Sequence, residues 1–276
     1  MTFVDANGAK LPALGFGTYG MNRGETLRML PAALHAGFRH IDTAQVYGNE
    51  AEVGASIVRA GLNRAEVFVT TKVWVANYPA RRFVTALDES LRRLRSSYVD
   101  LLLLHWPNGD VPLADQLGSL AAAVAAGKVR HIGVSNFNAR LLDDAVRLSP
   151  LPLVTNQVEY HPYLRQTTIL AHTRRAGMAL TAYCAMAVGR VFGEPLLLEL
   201  AARHQKTVAQ IVLRWLVQQD GVVALSRTTS EQRVAHNAAI FDFALPASDM
   251  SAIAALAQPH SRIVSPMGLA PDWDTL

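Results

Sequence analysis

A closed (β/α)8 barrel of the TIM type, preceded by an N-terminal β-hairpin, is the fold the sequence predicts, and three observations predict it. Short runs rich in Val, Ile and Leu alternate with longer stretches whose apolar residues recur at helical spacing. The short runs lack clean in–out alternation, which is how strands read when a parallel sheet is covered on both faces. The 276 residues divide into eight units of about 34, the size of one βα repeat, and such a barrel typically takes about 250.

The elements follow in chain order. Residues 2–14 alternate around Asn7-Gly8, a dipeptide that accepts the positive φ angles of a tight hairpin turn. Strands are expected over residues 38–42, 67–72, 99–105, 131–135, 153–159, 178–183 and 221–226, with an eighth and weaker one at 240–243. Helices are expected over 25–36, 50–60, 79–95, 113–126, 139–148, 166–176 and 208–219. Gly37, Gly61, Gly127, Gly177 and Gly221 follow these helices as left-handed caps. No Gly/Ser/Pro-rich linker interrupts the series, so one domain over residues 1–276 is expected, with a loose tail after about Ala257. The rival doubly wound sheet lacks its Gly-x-Gly-x-x-Gly after a strand.

Composition narrows the function classes. Half the residues are hydrophobic and 17% are charged, with a mean hydropathy of +0.15, so the chain can bury a large core and is not disordered. No apolar run nears the roughly 20 residues of a membrane span, and the N-terminus has no apolar run behind a basic cluster. The single cysteine, Cys184, excludes an internal disulfide and suits a reducing cytoplasm; a cytoplasmic monomer is expected. The net charge of +4 comes from scattered arginines, which argues against nucleic acid or a membrane as partner. Only four residues are lysines, which singles out Lys72 at the end of an expected strand.

In such a barrel the active site lies at the C-terminal ends of the strands. The polar residues there are Asp42, Lys72, His105, Ser135, Asn136, Gln157 and Tyr183. Each alone reads as a cap, a snorkelling lysine, a core histidine or plain packing. Jointly they do not, because Asp42, Lys72 and His105 are 30 and 33 residues apart, one βα unit each, and converge on one face.

Residues 37–44 read Gly-Phe-Arg-His-Ile-Asp-Thr-Ala, followed by Tyr47-Gly48-Asn49-Glu50 and Val53-Gly54. This segment resembles the first signature of the aldo-keto reductases, barrel oxidoreductases that use a nicotinamide cofactor. Leu120 to Arg130 with Ile132 to Phe137 resembles the second. Leu225-Ser226-Arg227-Thr228, with Arg233, His236 and Asn237, resembles an altered third. The likeness spans the chain from hairpin to tail. It is to the short-loop bacterial type similar to the 2,5-diketo-D-gluconate reductases, which reduce small carbonyls and sugar-derived ketones.

The resemblance implies a catalytic tetrad of Asp42, Tyr47, Lys72 and His105. Reduction of a carbonyl by hydride needs an acid for the nascent alkoxide, and a tyrosine near pKa 10 gives its proton reluctantly at neutral pH. A lysine cation about 4 Å away, at an effective dielectric of about 20, favours the phenolate by roughly 4 kcal/mol, or about three pKa units before desolvation. Lys72 would supply that cation, Asp42 would anchor it, and His105 would orient the carbonyl oxygen.

The resemblance further implies NADPH/NADP+ as cofactor. Ser135, Asn136 and Gln157 would hold the nicotinamide carboxamide and Tyr183 would stack on the ring. Arg227, Thr228, Arg233 and Asn237 fall in the segment matching the family's 2′-phosphate clamp; Arg227 stands where lysine is common and can grip a phosphate bidentately. Tyr19, Trp74 and Trp106 match substrate-lining aromatics for a small carbonyl. Three departures stand out: Ser226 for Pro, His236 for Glu, and Tyr183-Cys184-Ala185-Met186 for Tyr-Ser-Pro-Leu. Cys184 reads as a small hydrophobe, and no metal site is expected. Two other readings compete with an NADPH-dependent carbonyl reductase: a cofactor-sensing regulatory subunit on the same fold, and a barrel enzyme with a pyridoxal-phosphate Schiff base on Lys72.

Overall fold

The hairpin closes the bottom of a barrel. Strands β1 (Phe3–Ala6) and β2 (Ala9–Pro12) pair antiparallel across Asn7 and Gly8, both at positive φ. The Asn7 side chain donates to the carbonyls of Leu153 and Ala176 at 2.7 and 3.0 Å, tying the turn to the barrel's underside. Ala6, Ala9 and Leu11 pack on Leu101, Leu103, Val154, Ala179 and Val223, an apolar plug inside the strands. The computed structural model describes residues 2–274, so residues 1, 275 and 276 of the expected single domain lie outside the described residues.

Eight parallel strands make the closed barrel: β3 (Leu14–Gly17), β4 (His40–Asp42), β5 (Phe68–Val73), β6 (Val99–Leu104), β7 (Val129–Ser135), β8 (Leu153–Glu159), β9 (Ala179–Tyr183) and β10 (Val222–Ser226). They pair in chain order, and β10 returns to β3 through Ala224–Leu14 and Ser226–Phe16. The expected eighth strand at 240–243 is therefore a misreading. The eighth strand of the barrel is β3, of which the expected hairpin over residues 2–14 takes in only Leu14. Two glycines in four residues hide β3, whereas Ile240, Phe241 and Phe243 look strand-like although Ile240 is simply buried below helix α8 (Val208–Val217).

The outer ring contains α1 (Arg23–His35), α2 (Glu50–Arg59), α3 (Ala80–Leu94), α4 (Leu113–Ala125), α5 (Ala139–Leu148), α6 (Thr167–Arg175) and α8, all near their expected bounds. Three further helices, α7 (Pro195–His204), α9 (Glu231–Ala238) and α10 (Ala247–Ala254), were not expected. None of the described helices is long and apolar enough to cross a membrane. Gly133 on β7 is a packing requirement, since a Cβ there would lie 2.7 Å from the Thr155 carbonyl oxygen and push β7 off β8.

The tail is not loose. The buried Glu159 carboxylate, at the end of β8, accepts the amides of Ile263 and Val264 at 2.8 Å each and the His161 ring nitrogen at 2.9 Å. Farther on, the Asp274 carboxylate accepts the Ala139 amide at the start of α5, and Asn138 donates to the Asp272 carbonyl. Residues 261–274 are thus fastened across the C-terminal mouth of the barrel.

Candidate active site

At that mouth the strand ends gather the expected side chains. Asp42 terminates β4, Lys72 is the penultimate residue of β5, and His105 follows β6 with its amide bonded to the Val73 carbonyl. Tyr47 rides a short 3-10 turn, Gln45–Tyr47, closed by Gly48 in the left-handed region.

Lys72 is completely buried, and its ammonium is fully committed. Nζ donates to Asp42 Oδ1 at 2.5 Å, to the Thr43 carbonyl at 3.0 Å and to the Tyr47 hydroxyl oxygen at 3.3 Å, which uses all three protons. A buried amine so occupied is unsuited to forming a Schiff base. Burial pulls the Lys72 pKa down while the Asp42 carboxylate pushes it up. The second Asp42 oxygen, Oδ2, accepts from Gln157 Nε2 at 2.7 Å.

Tyr47 departs from the expectation that Lys72 makes it more acidic. Its pKa lies well above 10.0, raised by burial first and then by Asp42 and Tyr19. Burial is the main reason, since it disfavours the phenolate, and Asp42 adds to it because as counter-ion it offsets the field that Lys72 would exert. The phenol proton is thereby retained. His105 is held at about 2 by burial and by Lys72, so it is a neutral imidazole at working pH. Its Nδ1 is buried without a hydrogen-bond partner among the described residues.

The residues expected to hold nicotinamide form one network with these four. Ser135 Oγ donates to the Gln157 carbonyl at 2.8 Å. Asn136, at φ 66, donates through Nδ2 to the His105 carbonyl at 3.0 Å and accepts the Tyr183 hydroxyl at 2.7 Å. The left-handed backbone at Asn136 turns its side chain back toward His105, a conformation that asparagine tolerates better than most residues. Serine, amide and aromatic groups at one mouth fit a nicotinamide carboxamide and ring.

Past β10, Thr228 is buried, Arg233 is exposed on α9, and Arg227 donates to the Gly20 carbonyl at 3.1 Å. Asn237 donates to Ser226 Oγ at 2.9 Å, so the serine found in place of the family's proline anchors α9 to the strand end. The sequence reading missed Arg28, which reaches from α1 to the Thr229 carbonyl at 3.3 Å and adds a further cation near this loop.

Around the four residues stand aromatic rings. Tyr19, 71% exposed, meets Tyr47 edge-on at 5.1 Å, and Trp74 meets His105 edge-on at 5.4 Å. Trp106 is buried, its ring 6.4 Å from that of Trp273, and the Arg262 guanidinium stacks on Trp273 at 3.6 Å. Trp273 and Arg262 are the second omission, since a tail read as loose offers no reason to examine it. Cys184 is half-buried, and burial lifts its thiol to about 11, an inert group at neutral pH.

A family description, "Aldo/keto reductase family", matches residues 13–258. The chain is 37% identical to "Methylglyoxal reductase DkgB" of Escherichia coli O157:H7 over 267 residues, covering 96% of this chain and 99% of that protein. It is 38% identical to "Glyoxal reductase" of Bacillus subtilis (strain 168), covering 91% and 90%. Among solved structures, that of "a putative 2,5-diketo-D-gluconic acid reductase B" superposes with a TM-score of 0.98 at 58% identity, covering 100% of this chain and 98% of that one. With its closed barrel, its strand-end cluster and these relatives, the chain belongs to the aldo/keto reductase family and is an oxidoreductase acting on carbonyl groups.

Proposed function

We propose that this protein reduces small aldehydes and ketones, α-dicarbonyls foremost, with NADPH as hydride donor and Tyr47 as proton donor. The observation that carries the reading is the buried chain Gln157–Asp42–Lys72–Tyr47, which ends on a phenol that keeps its proton beside a neutral imidazole. The chemistry NADPH would supply when bound is a hydride for the carbonyl carbon. This chain supplies everything else. His105, uncharged, donates a hydrogen bond to the carbonyl oxygen and holds it near the Tyr47 hydroxyl; Tyr47 releases its proton to that oxygen as negative charge develops. The Lys72 ammonium, already in contact with the phenol oxygen, stabilises the phenolate left behind. Asp42 keeps Lys72 charged during that step.

The cofactor residues fit their roles. Gln157 donates one amide proton to Asp42, leaving its carbonyl oxygen for a carboxamide. Tyr183 offers a ring braced by Asn136. Arg227, Thr228 and Arg233, with Asn237 bracing their loop, would take the 2′-phosphate that distinguishes NADPH from NADH.

Relatives named for methylglyoxal, glyoxal and 2,5-diketo-D-gluconic acid support a small dicarbonyl substrate. The test is loss of NADPH absorbance with methylglyoxal, glyoxal and 2,5-diketo-D-gluconate. Tight NADPH binding with no consumption across the panel would favour the cofactor-sensing reading instead.

A further inference from the structure

Tyr47 and Trp74 both flank His105, with ring centroids 5.7 and 5.4 Å from its own, yet they come from different loops. Tyr47 lies on the turn after β4, and Trp74 follows β5. Something has to hold the two loops in register for the hydroxyl and the indole to face one carbonyl.

Gln45 makes that link with one carboxamide. Its Oε1 accepts the Trp74 amide at 3.0 Å and Asn77 Nδ2 at 3.0 Å, while its Nε2 donates to Ser90 Oγ on α3 at 3.1 Å. Ser90 is buried, so the far end of the link is anchored on a packed helix. Gln45 also opens the 3-10 turn that carries Tyr47, and its carbonyl accepts the Gly48 amide that closes the turn. Among the described residues, every side-chain hydrogen bond between residues 43–48 and 73–78 belongs to Gln45. Position 45 lies between the matched signature residues Ala44 and Tyr47, so the family likeness gives it no role.

We propose that Gln45 is a positioning residue for the reduction, setting Tyr47 and Trp74 against His105 by fixing their loops to each other. This rests on the carbonyl-reductase reading. The carboxamide acts through its acceptor oxygen, because two of its three contacts converge there. Behind it lies a cavity of about 220 Å³ lined by Gln45, Val46, Trp74, Asn77, Ser90 and Arg93. The cavity is open to solvent, so without Gln45 Oε1 water entering it can take up the freed Trp74 amide. Fold stability is therefore largely preserved and what is lost is alignment.

The test compares Gln45→Met, which fills the same space with no acceptor, with Gln45→Glu, which keeps both acceptor contacts. Misalignment by a fraction of an ångström to about 1 Å lowers kcat/KM for methylglyoxal by roughly tenfold to a hundredfold in Gln45→Met, chiefly through kcat. NADPH affinity stays at the wild-type value, and Gln45→Glu recovers most of the rate. Amide exchange in segments 43–48 and 73–78 accelerates together in Gln45→Met. Wild-type kcat in Gln45→Met, or equal losses in both variants, overturns the proposal. If the wild type consumes no NADPH, the carbonyl reading fails on its own; unchanged exchange in the two segments would then still overturn the link.

Discussion

Gln157 Nε2 stands 2.7 Å from Asp42 Oδ2, so a side chain of the proposed nicotinamide cradle is also a hydrogen-bond partner of the carboxylate that holds Lys72. The two oxygens of Asp42 are divided between one charge and one amide. Cofactor seating and the charge beside Tyr47 thereby share an atom pair. Asn136 makes a second such junction, between Tyr183 and the His105 carbonyl.

Replacing Gln157 by Leu leaves a buried carboxylate oxygen without its donor, which costs about 1–3 kcal/mol. Chemical denaturation should report that loss in the absence of cofactor. NADPH titration of the same variant should show weaker binding as well. A variant with impaired binding but wild-type stability would mean that the Asp42 contact contributes nothing.

For Tyr47→Phe the expectation is different, because only the transferable proton and one contact with Lys72 are removed. Loss of a general acid lowers kcat by about 10²- to 10⁴-fold, with NADPH binding nearly intact. The pH profile of the wild type should carry no His105 limb between about pH 5 and 8, since that imidazole is held at about 2. Retention of most of the wild-type kcat in Tyr47→Phe would remove tyrosine as the donor.

Lys72→Met strands the Asp42 carboxylate in a buried site with only Gln157 left as partner among the described residues. Breaking a buried ion pair from one side costs about 3–5 kcal/mol, so stability and turnover should fall together. The double variant Lys72→Met with Asp42→Asn, which removes both charges, should regain much of the stability but not the rate. Urea unfolding of the three proteins separates the two effects.

Much of this site was legible in the sequence for a physical reason: a barrel repeats every βα unit, so Asp42, Lys72 and His105, one unit apart, had to reach the same rim. Strand β3 was not legible, because Leu14-Gly15-Phe16-Gly17 is short, half glycine and continuous with the hairpin. Helix α7 carries a usable signal in Pro195 at its first turn followed by three leucines, and that signal was overlooked. The fastening of the tail is of another kind. Glu159 meets Ile263 and Val264 more than a hundred residues away, through backbone amides that no side-chain pattern announces.

That fastening gives a pH prediction. Burial pushes the Glu159 carboxyl up, but the His161 ring and the amides of Val264 and Ile263 outweigh it and hold it below its ordinary value of 4.5. A carboxyl depressed in the folded state stabilises the fold fully above that value, and the contribution is lost as pH falls through the folded pKa. In Glu159→Gln the stability of the protein should therefore fall less steeply with acid below about pH 4.5 than in the wild type. At neutral pH the same variant should show faster amide exchange across residues 261–274, with the barrel strands protected as before. Identical acid slopes in the two proteins would show that the carboxylate charge is not what holds the tail.

In the proposed reading, cofactor choice rests on Arg227 and Arg233, the only basic side chains other than His236 and His260 between Arg214 and Arg262. Arg227 is exposed, and among the described residues its one side-chain hydrogen bond is to the Gly20 carbonyl, which a phosphate could readily displace because a guanidinium prefers a charged, bidentate acceptor. Arg227→Ala removes charge-assisted hydrogen bonds of roughly 1.5–3 kcal/mol to a group that NADH lacks. At 1.4 kcal/mol per decade, the Kd for NADPH should rise about tenfold to a hundredfold, with little change for NADH. Adding salt should shrink the gap between wild type and variant, since part of the attraction at an exposed site is screened. Paired titrations with both cofactors at two ionic strengths measure this directly. Equal losses for NADPH and NADH would mean that Arg227 serves the Gly20 loop rather than the 2′-phosphate, and a wild type that binds NADH more tightly would take away the basis for assigning NADPH.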